Sequence, residues 1–595
     1  MKYRIDKADI LIYSVILAFG ALQFTLYERA DDFVHDTTYV ELAHSILTQR
    51  FYGFNFRLNT LFPPGLPLIL ALICVTFQCT YAVLIRSMPV FFISGLIVNY
   101  NLLRRAQGRG VAAVSCLLLG SSPWVFQFST QLVFSELPYF LVSMLCLWLA
   151  AKLDSAHRVT SRLVLGLLFA LCLTLALMIR TAAIALLLAL FLWLALAGVR
   201  EPQTARVRCA SFLPALLLGL VVLGAWMRWS GKHESLEWPI GGWPGSYISQ
   251  ITVKNGNYPE LGNASLADLP QRVEQNLLGY AEAFARLLLH KGWKTAWYSP
   301  VVVGTVFLVV VGVSGSIWRT GGGLLEWYFV GYMLMQLLWP WNIEHRFVMP
   351  VVPLACLYLW RGGATCIQQL LHRPIRVAVL GTLLFPLLGI AAWRHSTVYC
   401  LFWVLLTTLA VSVTGRAVFQ PAVFTNVWAF VSRQRLSVAG RSLSAAQVVM
   451  TLIVGILLGA GLVGQLSIGR DNLHFDMSKT SFYGDIGAAR WIHSHTSPSE
   501  VVMARKLDLV YHYSGHRVVW FPPISNPQML MEGIRKYHVD WVIVTVKDYN
   551  YWLPSEPDCF EPLLREYPGE FQLAHEGPQY RIFAVVGHKE PRVSM

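Results

Sequence analysis

Apolar runs long enough to cross a lipid bilayer recur along most of this sequence. A transmembrane helix needs about 20 mostly apolar residues, and runs of about that length extend from residue 9 to residue 466 with short basic segments between them. Charged residues make up 13% of the chain, whereas soluble proteins contain about 25%. So few charges cannot coat a water-soluble fold in which 55% of residues are hydrophobic. The sequence predicts a polytopic α-helical membrane protein.

The net charge of +14 does not indicate a nucleic-acid partner, because the basic residues cluster between apolar runs. These clusters comprise Arg104, Arg105, Arg109, Arg200, Arg206, Arg208, Arg361, Arg373 and Arg376. Lys and Arg in short loops favour the cytoplasmic side. Lys2, Arg4 and Lys7 precede the first run, which lacks a small-residue cleavage site. We therefore predict an uncleaved first helix and a cytoplasmic N-terminus.

The apolar runs predict about thirteen spans, and an odd number places the C-terminus outside the cytoplasm. Residues 66–79 lie close to the next run, which carries Arg86, and are predicted to form a re-entrant or surface helix. The predicted spans are residues 9–27, 82–103, 110–128, 138–153, 163–180, 182–199, 211–229, 299–317, 323–340, 347–361, 377–393, 397–415 and 446–466.

Two domains follow from this topology. Residues 1–466 form a transmembrane domain with outer loops 28–81 and 230–297, and residues 467–595 form an extracytoplasmic soluble domain. Helical periodicity predicts a surface helix near 36–51 and an amphipathic helix near 271–290. The tail alternates strand-like and helix-like segments, which indicates an α/β domain. Its strands are predicted at Val501–Met503, Val518–Phe521, Trp541–Val546 and Ile582–Val586, and its helices at 484–494 and 527–537.

The cysteine and histidine patterns predict neither a disulfide framework nor a metal site. Nine of the ten cysteines lie in or beside apolar segments, where they resemble small buried hydrophobic residues. His493 with His495, and His512 with His516, have ligand-like spacing, but no third ligand accompanies either pair.

Ionisable residues at the predicted outer helix ends indicate a polar pocket. Asp36 lies in the first outer loop, Glu136 precedes the fourth span, Arg180 ends the fifth, and Glu344 and Arg346 stand before the tenth. Charged groups at such depths are costly unless they pair or line a wet cavity. We expect these side chains to converge at the outer membrane surface.

Five short motifs occur in a fixed order along the membrane part. They are Asp36-Thr37-Thr38-Tyr39, Phe62-Pro63-Pro64-Gly65, Leu103-Arg104-Arg105, Ser135-Glu136 and Arg346-Phe347-Val348-Met349-Pro350. In this order they resemble the GT-C superfamily of polyprenyl-phosphate-sugar-dependent glycosyltransferases, which includes protein O-mannosyltransferases and aminoarabinose transferase. The bacterial group named after rhizobial galacturonosyltransferases is the most similar in motif content. The soluble tail matches this group only loosely.

The resemblance implies an inverting glycosyltransferase of the bacterial inner membrane, with a GT-C-like fold. Such an enzyme moves a sugar from a polyprenyl-phosphate donor to a hydroxyl of a glycan, lipid or protein at the outer face. Asp36 would be the catalytic base and Glu136 the second acidic site residue. Tyr39, Arg180 and Arg346 would bind substrate, with Arg346 on the phosphate. The resemblance implies no certain cofactor and leaves a divalent cation open.

Each of these residues also has a purely structural alternative. Asp36 could cap the surface helix, Glu136 could be a helix-end charge, and Arg346 could anchor its span at the interface. Arg180 could extend its charge to water from a helix end. A transporter or flippase of lipid-linked sugars is the alternative function, and an inactive assembly protein with the same fold is a third. The concentration of acidic residues in the first third and the appended soluble domain favour the enzyme.

Overall fold

Long apolar helices form most of the structure. The computed structural model describes residues 5–200, 202–234, 245–258, 261–289, 298–341, 344–372, 435–438, 441–546 and 553–586. Within these ranges the membrane part contains α1 (Lys7–Thr25), α2 (Thr38–Thr48), α3 (Gly65–Phe77), α4 (Tyr81–Gln107), α5 (Arg109–Gly120), α6 (Pro123–Gln131), α7 (Glu136–Asp154), α8 (Val159–Ile179), α9 (Ile184–Arg200), α10 (Pro202–Lys232), α11 (Tyr247–Thr252), α12 (Leu269–Leu289), α13 (Tyr298–Thr320), α14 (Leu324–Leu337), α15 (His345–Val348), α16 (Val352–His372) and α17 (Ala445–Leu473).

The polytopic membrane fold is confirmed. Eight helices of the described chain are long and apolar enough to cross a membrane, or nine when the bent pair α5–α6 is taken as one span. Both α13 and α14 occur where spans were predicted, but among the described residues neither meets the length and hydropathy expected of a complete span. The spans predicted at 377–393 and 397–415 lie outside the described residues. The amphipathic helix predicted near 271–290 is α12.

The chain between α5 and α6 differs from its prediction as one straight span. The two helices meet at an angle of 56°. Ser122 is extended there, with ψ 122°, and Pro123 begins α6. A proline clashes with a helical conformation at the residue before it and donates no backbone hydrogen bond, so the helix breaks at this point.

Cys74 and Cys79 form a local disulfide at the end of α3. The sequence predicted cysteines that only pack as apolar side chains, and this pair departs from that prediction. The bridge joins the last turn of the short helix α3 to the segment that starts α4, and its two cysteines are five residues apart in the sequence. The helix predicted at 66–79 is otherwise confirmed as α3.

The two ends of the helix bundle differ in charge chemistry. At the start of α1 the buried Asp9 lies 2.7 Å from Nη1 of Arg104 and accepts a 2.7 Å hydrogen bond from the Tyr100 hydroxyl. Arg109 pairs with Asp6 beside it. These groups lie at the N-terminal end of α1, and the loop that contains Asp36 follows its other end. The basic cluster and the first outer loop therefore lie at opposite ends of the bundle.

The C-terminal part is an α/β domain, as predicted. Its sheet has five strands in the order β6-β5-β7-β9-β8, in which β5 is parallel to β6 and β7 while β9 is antiparallel to β7 and β8. Sequence reasoning missed α19, α21 and β8. The elements are α18 (Tyr483–His495), β5 (Val501–Ala504), α19 (Leu507–Ser514), β6 (Arg517–Trp520), α20 (Pro527–Lys536), β7 (Trp541–Thr545), α21 (Glu556–Glu566), β8 (Phe571–Gly577) and β9 (Tyr580–Val585). Two hairpins, β1 (Gly53–Phe54) with β2 (Arg57–Leu58) and β3 (Arg435–Val438) with β4 (Arg441–Ser444), precede it.

The C-terminal domain packs directly on the first outer loop. The Asn55 side chain forms two 2.7 Å hydrogen bonds with the backbone of Val518, which lies in the edge strand β6. Its Nδ2 donates to the Val518 carbonyl, and its Oδ1 accepts from the Val518 amide. This amide satisfies backbone groups that an edge strand would otherwise expose. The Tyr513 hydroxyl donates to the Phe33 carbonyl at 2.7 Å, and His512 bonds to the carboxylates of Asp32 and Glu41.

Candidate active site

A cavity of about 350 Å³ brings all five predicted site residues together. It opens between the first outer loop, the starts of α7 and α15, the end of α8 and the C-terminal domain. Polar and charged side chains line it together with aromatic ones: Asp36, Tyr39, Phe62, Phe134, Glu136, Arg180, Tyr247, Gln336, Trp339, Trp341, Glu344, Arg346, Phe482 and Lys506. Residues from distant parts of the sequence thus share one partly enclosed site.

Asp36 stands immediately before the segment that starts α2. The helix begins at Thr38, and its cap residue is Thr37, so Asp36 lies one position outside the cap. Its Oδ1 atom accepts a 3.1 Å hydrogen bond from the Thr38 hydroxyl. Burial opposes ionisation of Asp36, but a hydrogen bond from Asp508 and the positive charges of Lys506 and Arg346 hold its pKa below the usual value. Asp36 is therefore a carboxylate at neutral pH.

Glu136 is the acidic centre of the cavity. Its Oε1 atom lies 2.7 Å from Nη1 of Arg180 and 3.7 Å from Nε of Arg346. Glu136 is 4% exposed, so the two cations balance a charge that burial alone would make costly. Oε2 of Glu136 has no hydrogen-bond partner among the described residues. A buried carboxylate oxygen in this state is an acceptor available to a ligand hydroxyl.

Aromatic rings fix the orientation of Arg346. Its guanidinium carbon lies 4.1 Å from the centre of the Phe134 ring and 5.1 Å from that of Phe347. Stacking of this kind holds the planar guanidinium in place. Arg346 also pairs with Glu344 at the mouth of the site. The sequence grouped Glu344 with Arg346, and the structure brings both to the cavity.

Tyr39 reaches the same cluster from the first turn of α2. Its hydroxyl donates to Oγ of Ser135 at 3.1 Å, and Arg180 donates to the same oxygen at 3.2 Å. Burial and the nearby Glu136 charge raise the pKa of Tyr39 to about 12, so its hydroxyl keeps its proton. Ser135 therefore joins Tyr39 to Arg180, a link for which the Ser135-Glu136 turn was the only sequence signal.

The Pro63-Pro64-Gly65 turn places the first loop against α8. An added Cβ at Gly65 would lie 2.5 Å from the Met178 carbonyl carbon, which no side chain could tolerate. Glycine therefore permits the backbones to approach two residues before Arg180. The turn holds the first loop, and with it Phe62, beside the cation at the end of α8.

Sequence reasoning missed two residues that the C-terminal domain brings to the site. Lys506 lines the cavity, and Asp508 accepts a 2.7 Å hydrogen bond from the Thr37 backbone amide. Both residues follow the carboxyl end of the parallel strand β5. Sites in open α/β sheets gather at that edge, so this rule could have drawn attention to them.

The site offers no assembled metal centre. No group of three or more His, Cys, Asp or Glu side chains in the described ranges could hold a metal ion. The two central carboxylates already have partners, since Glu136 binds Arg180 and Asp36 binds Asp508. Within the described residues the site therefore contains no ligand cluster assembled for a metal ion, and the divalent cation that the sequence left open stays a prediction.

Comparison with solved structures gives a match over almost the entire chain. ArnT from Cupriavidus metallidurans bound to undecaprenyl phosphate superposes with a TM-score of 0.51 and 12% identity, over 97% of this chain and 98% of that chain. AglB, an oligosaccharyltransferase from Archaeoglobus fulgidus in complex with an inhibitory peptide and a dolichol-phosphate, gives a TM-score of 0.50 and 12% identity, over 98% of this chain and 75% of that chain. The chain has a GT-C fold.

The GT-C fold confirms the architecture that the order of the five motifs predicted. No family model matches this sequence, and no curated protein matches it. The motif order and the three-dimensional structure therefore carry the assignment of the fold. The roles of Asp36, Tyr39, Glu136, Arg180 and Arg346 stay predictions, now for residues that line one cavity.

Proposed function

We propose that this protein is an inverting glycosyltransferase that moves a sugar from a polyprenyl phosphate to an acceptor hydroxyl. The observation that carries the proposal is the cavity itself, in which an ionised carboxylate, Asp36, faces a site that contains Arg180, Arg346 and Lys506. A base beside an anion-binding group is the pair of functions that this transfer requires. ArnT and AglB are solved with undecaprenyl phosphate and dolichol-phosphate, and the shared fold supports a lipid phosphate here as well.

Arg346 is the proposed ligand of the donor phosphate. Its planar fork can bind two phosphate oxygens at once, and the rings of Phe134 and Phe347 fix its orientation. The phosphate leaves as an ionised monoester, so the reaction needs stabilisation of negative charge rather than a general acid. Arg180 adds a second positive charge beside Glu136. Together the two guanidinium groups would stabilise the leaving group.

Asp36 is the proposed general base. In the reaction its carboxylate removes the proton of the acceptor hydroxyl while that oxygen forms a bond to the anomeric carbon of the sugar. The bond from this carbon to the phosphate oxygen breaks, and its electron pair leaves with the lipid phosphate. Attack opposite the phosphate inverts the configuration of the carbon. A positioned base typically contributes about 100- to 10,000-fold to such a rate.

Glu136 and Tyr39 are proposed to bind the sugar. The free Oε2 atom of Glu136 can accept a hydrogen bond from a sugar hydroxyl, and filling this acceptor would remove the cost of a buried polar atom without a partner. The Tyr39 hydroxyl lies on the same wall. The aromatic residues around the cavity, including Trp339 and Trp341, give apolar faces to sugar rings.

An apolar groove offers room for part of the polyprenyl chain. A second cavity of about 330 Å³ is lined by Ile46, Tyr52, Pro64, Leu68, Trp226 and Trp229. The Tyr52 hydroxyl donates at 2.6 Å to the carbonyl of Phe62, a residue that lines the main cavity. The groove thus adjoins the site through one residue contact, and its apolar lining suits a hydrocarbon chain.

We place the site at the outer face of a bacterial inner membrane. The cluster of Arg104 and Arg109 lies at the opposite end of the bundle, and basic groups favour the cytoplasm. On this orientation the N-terminus is cytoplasmic, and residues 467–595 form an extracytoplasmic domain. The acceptor would be a glycan, lipid or protein of the cell envelope.

Reconstitution separates an enzyme from a flippase. Purified protein is placed in liposomes with the lipid-linked sugars and the glycans, lipids and proteins extracted from the host envelope. A transferase releases free polyprenyl phosphate and forms a glycosylated product, both measured by mass spectrometry. A flippase moves the intact lipid-linked sugar and releases nothing. Release without any change in the anomeric configuration, read by NMR, would contradict the inverting mechanism.

A further inference from the structure

We propose that Asp508 of the C-terminal domain is a positioning residue that holds Asp36 through a hydrogen bond between the two carboxyl groups, with one proton shared by the pair. The inference rests on the proposed function of Asp36 as base. On this proposal the C-terminal domain takes part in catalysis, although the membrane domain contributes most of the residues of the site.

The geometry begins with the contact between two distant chain segments. Oδ2 of Asp508 accepts a 2.7 Å hydrogen bond from the Thr37 amide, and the Thr37 hydroxyl lies 3.5 Å from the same oxygen. The Asp508 carboxyl group also forms a hydrogen bond with Asp36. Asp508 is 6% exposed and does not line the cavity, whereas Asp36 does. Asp508 therefore stands behind Asp36, outside the lining of the cavity.

Two carboxyl groups in contact in a buried place cannot both be ionised without a large cost, so one of them keeps a proton. Lys506 and Arg346 favour the charge on Asp36. Burial and the Asp36 charge raise the pKa of Asp508 to about 7. Near and below that pH, Asp508 is the carboxylic acid that donates, and Asp36 is the carboxylate that accepts.

Other charged groups surround the pair and enter any pH dependence. The groups on the elements packed against Asp508 are Asp32, His35 and Asp36 on the first loop, Glu41 on α2, Lys506 and His512 on its own segment, Asp485 and Arg490 on α18, Arg517 on β6 and Arg346 across the cavity. Among them, His512 donates hydrogen bonds to Asp32 and Glu41, which raise the pKa of His512 to about 9 against the effect of burial. His512 must therefore be tested separately.

Ionisation of Asp508 would change the site in a defined way. Once its proton is lost, the hydrogen bond to Asp36 disappears and two negative charges face each other. The repulsion would turn Asp36 away from Asp508, and the base would no longer be in place. Activity should therefore fall as the pH rises above about 7, by about tenfold per pH unit when one proton controls the rate.

Asp508→Asn is the decisive variant. An asparagine side chain can donate its amide N–H to Asp36 and still accept from the Thr37 amide, and it cannot lose a proton. We expect Asp508→Asn to keep activity within about threefold of the natural protein at pH 6.5 and to lose the decline above pH 7. Asp508→Ala, which makes neither bond, should lower kcat by about 10- to 100-fold with little change in KM.

The outcomes separate a positioning role from a structural one. A variant Asp508→Asn whose activity still declines above pH 7 would overturn the proposal, as would an Asp508→Ala variant with natural kcat. His512→Gln is the matched control, one turn further along α19, and should leave the decline of activity near pH 7 in place. If it removes the decline, the titration belongs to His512.

Infrared difference spectroscopy decides the inference even if no transfer is found. The full-length protein in detergent should show a protonated carboxyl band that disappears as the pH rises through about 7. Asp508→Asn and Asp36→Asn should each remove that titrating band, and His512→Gln should keep it. A band unchanged in both aspartate variants would refute the shared proton. Absence of sugar transfer with the expected band would instead refute the proposed function alone.

Discussion

Glu136 and Arg180 form a buried ion pair in which Oε1 and Nη1 are 2.7 Å apart. Glu136 is the first residue of α7, and Arg180 directly follows the last residue of α8. The pair therefore joins two membrane helices at the ends that face the cavity. Because α7 and α8 are consecutive, their other ends meet at the short turn between Asp154 and Val159, while this ion pair joins the two helices at the site.

Replacing one partner of this ion pair should lower the stability of the protein more than replacing both partners. Glu136→Gln leaves Arg180 charged and buried, and we expect a loss of about 3 kcal/mol in stability, since an uncompensated buried charge is strongly unfavourable. Arg180→Gln in the same chain removes the stranded charge and should restore part of the loss. Thermal unfolding in detergent of the two single variants and the double variant measures this coupling. Additive losses would show that the pair contributes no interaction of its own.

Asp36→Asn tests the base directly. Asparagine keeps the size of the side chain and can still accept from the Thr38 hydroxyl, but it lacks the basic oxygen. We expect sugar transfer to fall by about 100- to 10,000-fold with an unchanged melting temperature. Asp31→Asn, an exposed change in the same loop, is the matched control and should keep full activity. Normal transfer in a stable Asp36→Asn protein would remove Asp36 as the base.

Arg346 should control the affinity for a lipid phosphate. Arg346→Ala loses a guanidinium held by Phe134 and Phe347, and we expect a polyprenyl phosphate to bind about 10- to 100-fold more weakly. Arg346→Lys keeps the charge but not the fork, so it should recover only part of the affinity. The measurement is titration calorimetry in detergent. Lys479→Ala removes an exposed cation and should bind normally; unchanged affinity in Arg346→Ala would point to Arg180 instead.

His512 should make the docking of the C-terminal domain dependent on pH. It bonds to Asp32 and Glu41, and these contacts raise its pKa to about 9 despite burial. A histidine whose folded pKa is raised stabilises the folded state fully below its unfolded value of about 6.5. That contribution is lost as the pH rises through about 9.

The matching variant is His512→Gln. Relative to it, the natural protein should be more stable by about 1 to 2 kcal/mol at pH 6, and the difference should vanish near pH 10. Melting temperatures across this pH range measure it. A difference that stays constant with pH would show that packing, rather than the protonated imidazole, accounts for the effect.

The topology can be tested at two positions that the structure places side by side. Thr37 is hydrogen-bonded to Asp508, and the Arg29 amide donates to the Asn472 carbonyl at 2.9 Å, so reporter enzymes fused after residue 37 and after residue 474 must lie on the same side of the membrane. Basic groups at the other end of the bundle predict the extracytoplasmic side. A reporter that is active only in the cytoplasm should be inactive at both positions. Activity at residue 474 alone would mean that the number of spans is even.

The membrane fold could be predicted because its physical signal is local. About 20 consecutive apolar residues reveal a span wherever they occur, so α1, α4, α7, α8 and α10 were located from the sequence. The strands β5, β6 and β7 were found for a similar reason, since a short buried strand reads as a compact apolar run. The shorter and more polar elements α19, α21 and β8 were missed, because their place depends on the sheet beside them.

The residues of the site could be predicted from the sequence, but their pairing could not. Ionisable groups at membrane depth are energetically unfavourable and rarely occur there without a partner. For this reason the sequence alone draws attention to Asp36, Glu136, Arg180 and Arg346. Those groups were expected to converge, but the sequence could not say which cation pairs with Glu136 or that its Oε2 atom is free. Pairing depends on distances between helices that are far apart in the chain.

Asp508 shows what only the tertiary structure decided. In the sequence it is one of several aspartates in a soluble domain. Charged side chains are common on such a domain because water solvates them, so their presence does not indicate a functional site. Its role arises because the C-terminal domain packs against the first outer loop and places Asp508 beside Asp36 and Thr37. The sequence by itself determined the apolar helices and the scarce charges between them. The contact across 471 residues was decided by packing, since a carboxyl group acquires its proton and its partner only from the groups that the fold places around it.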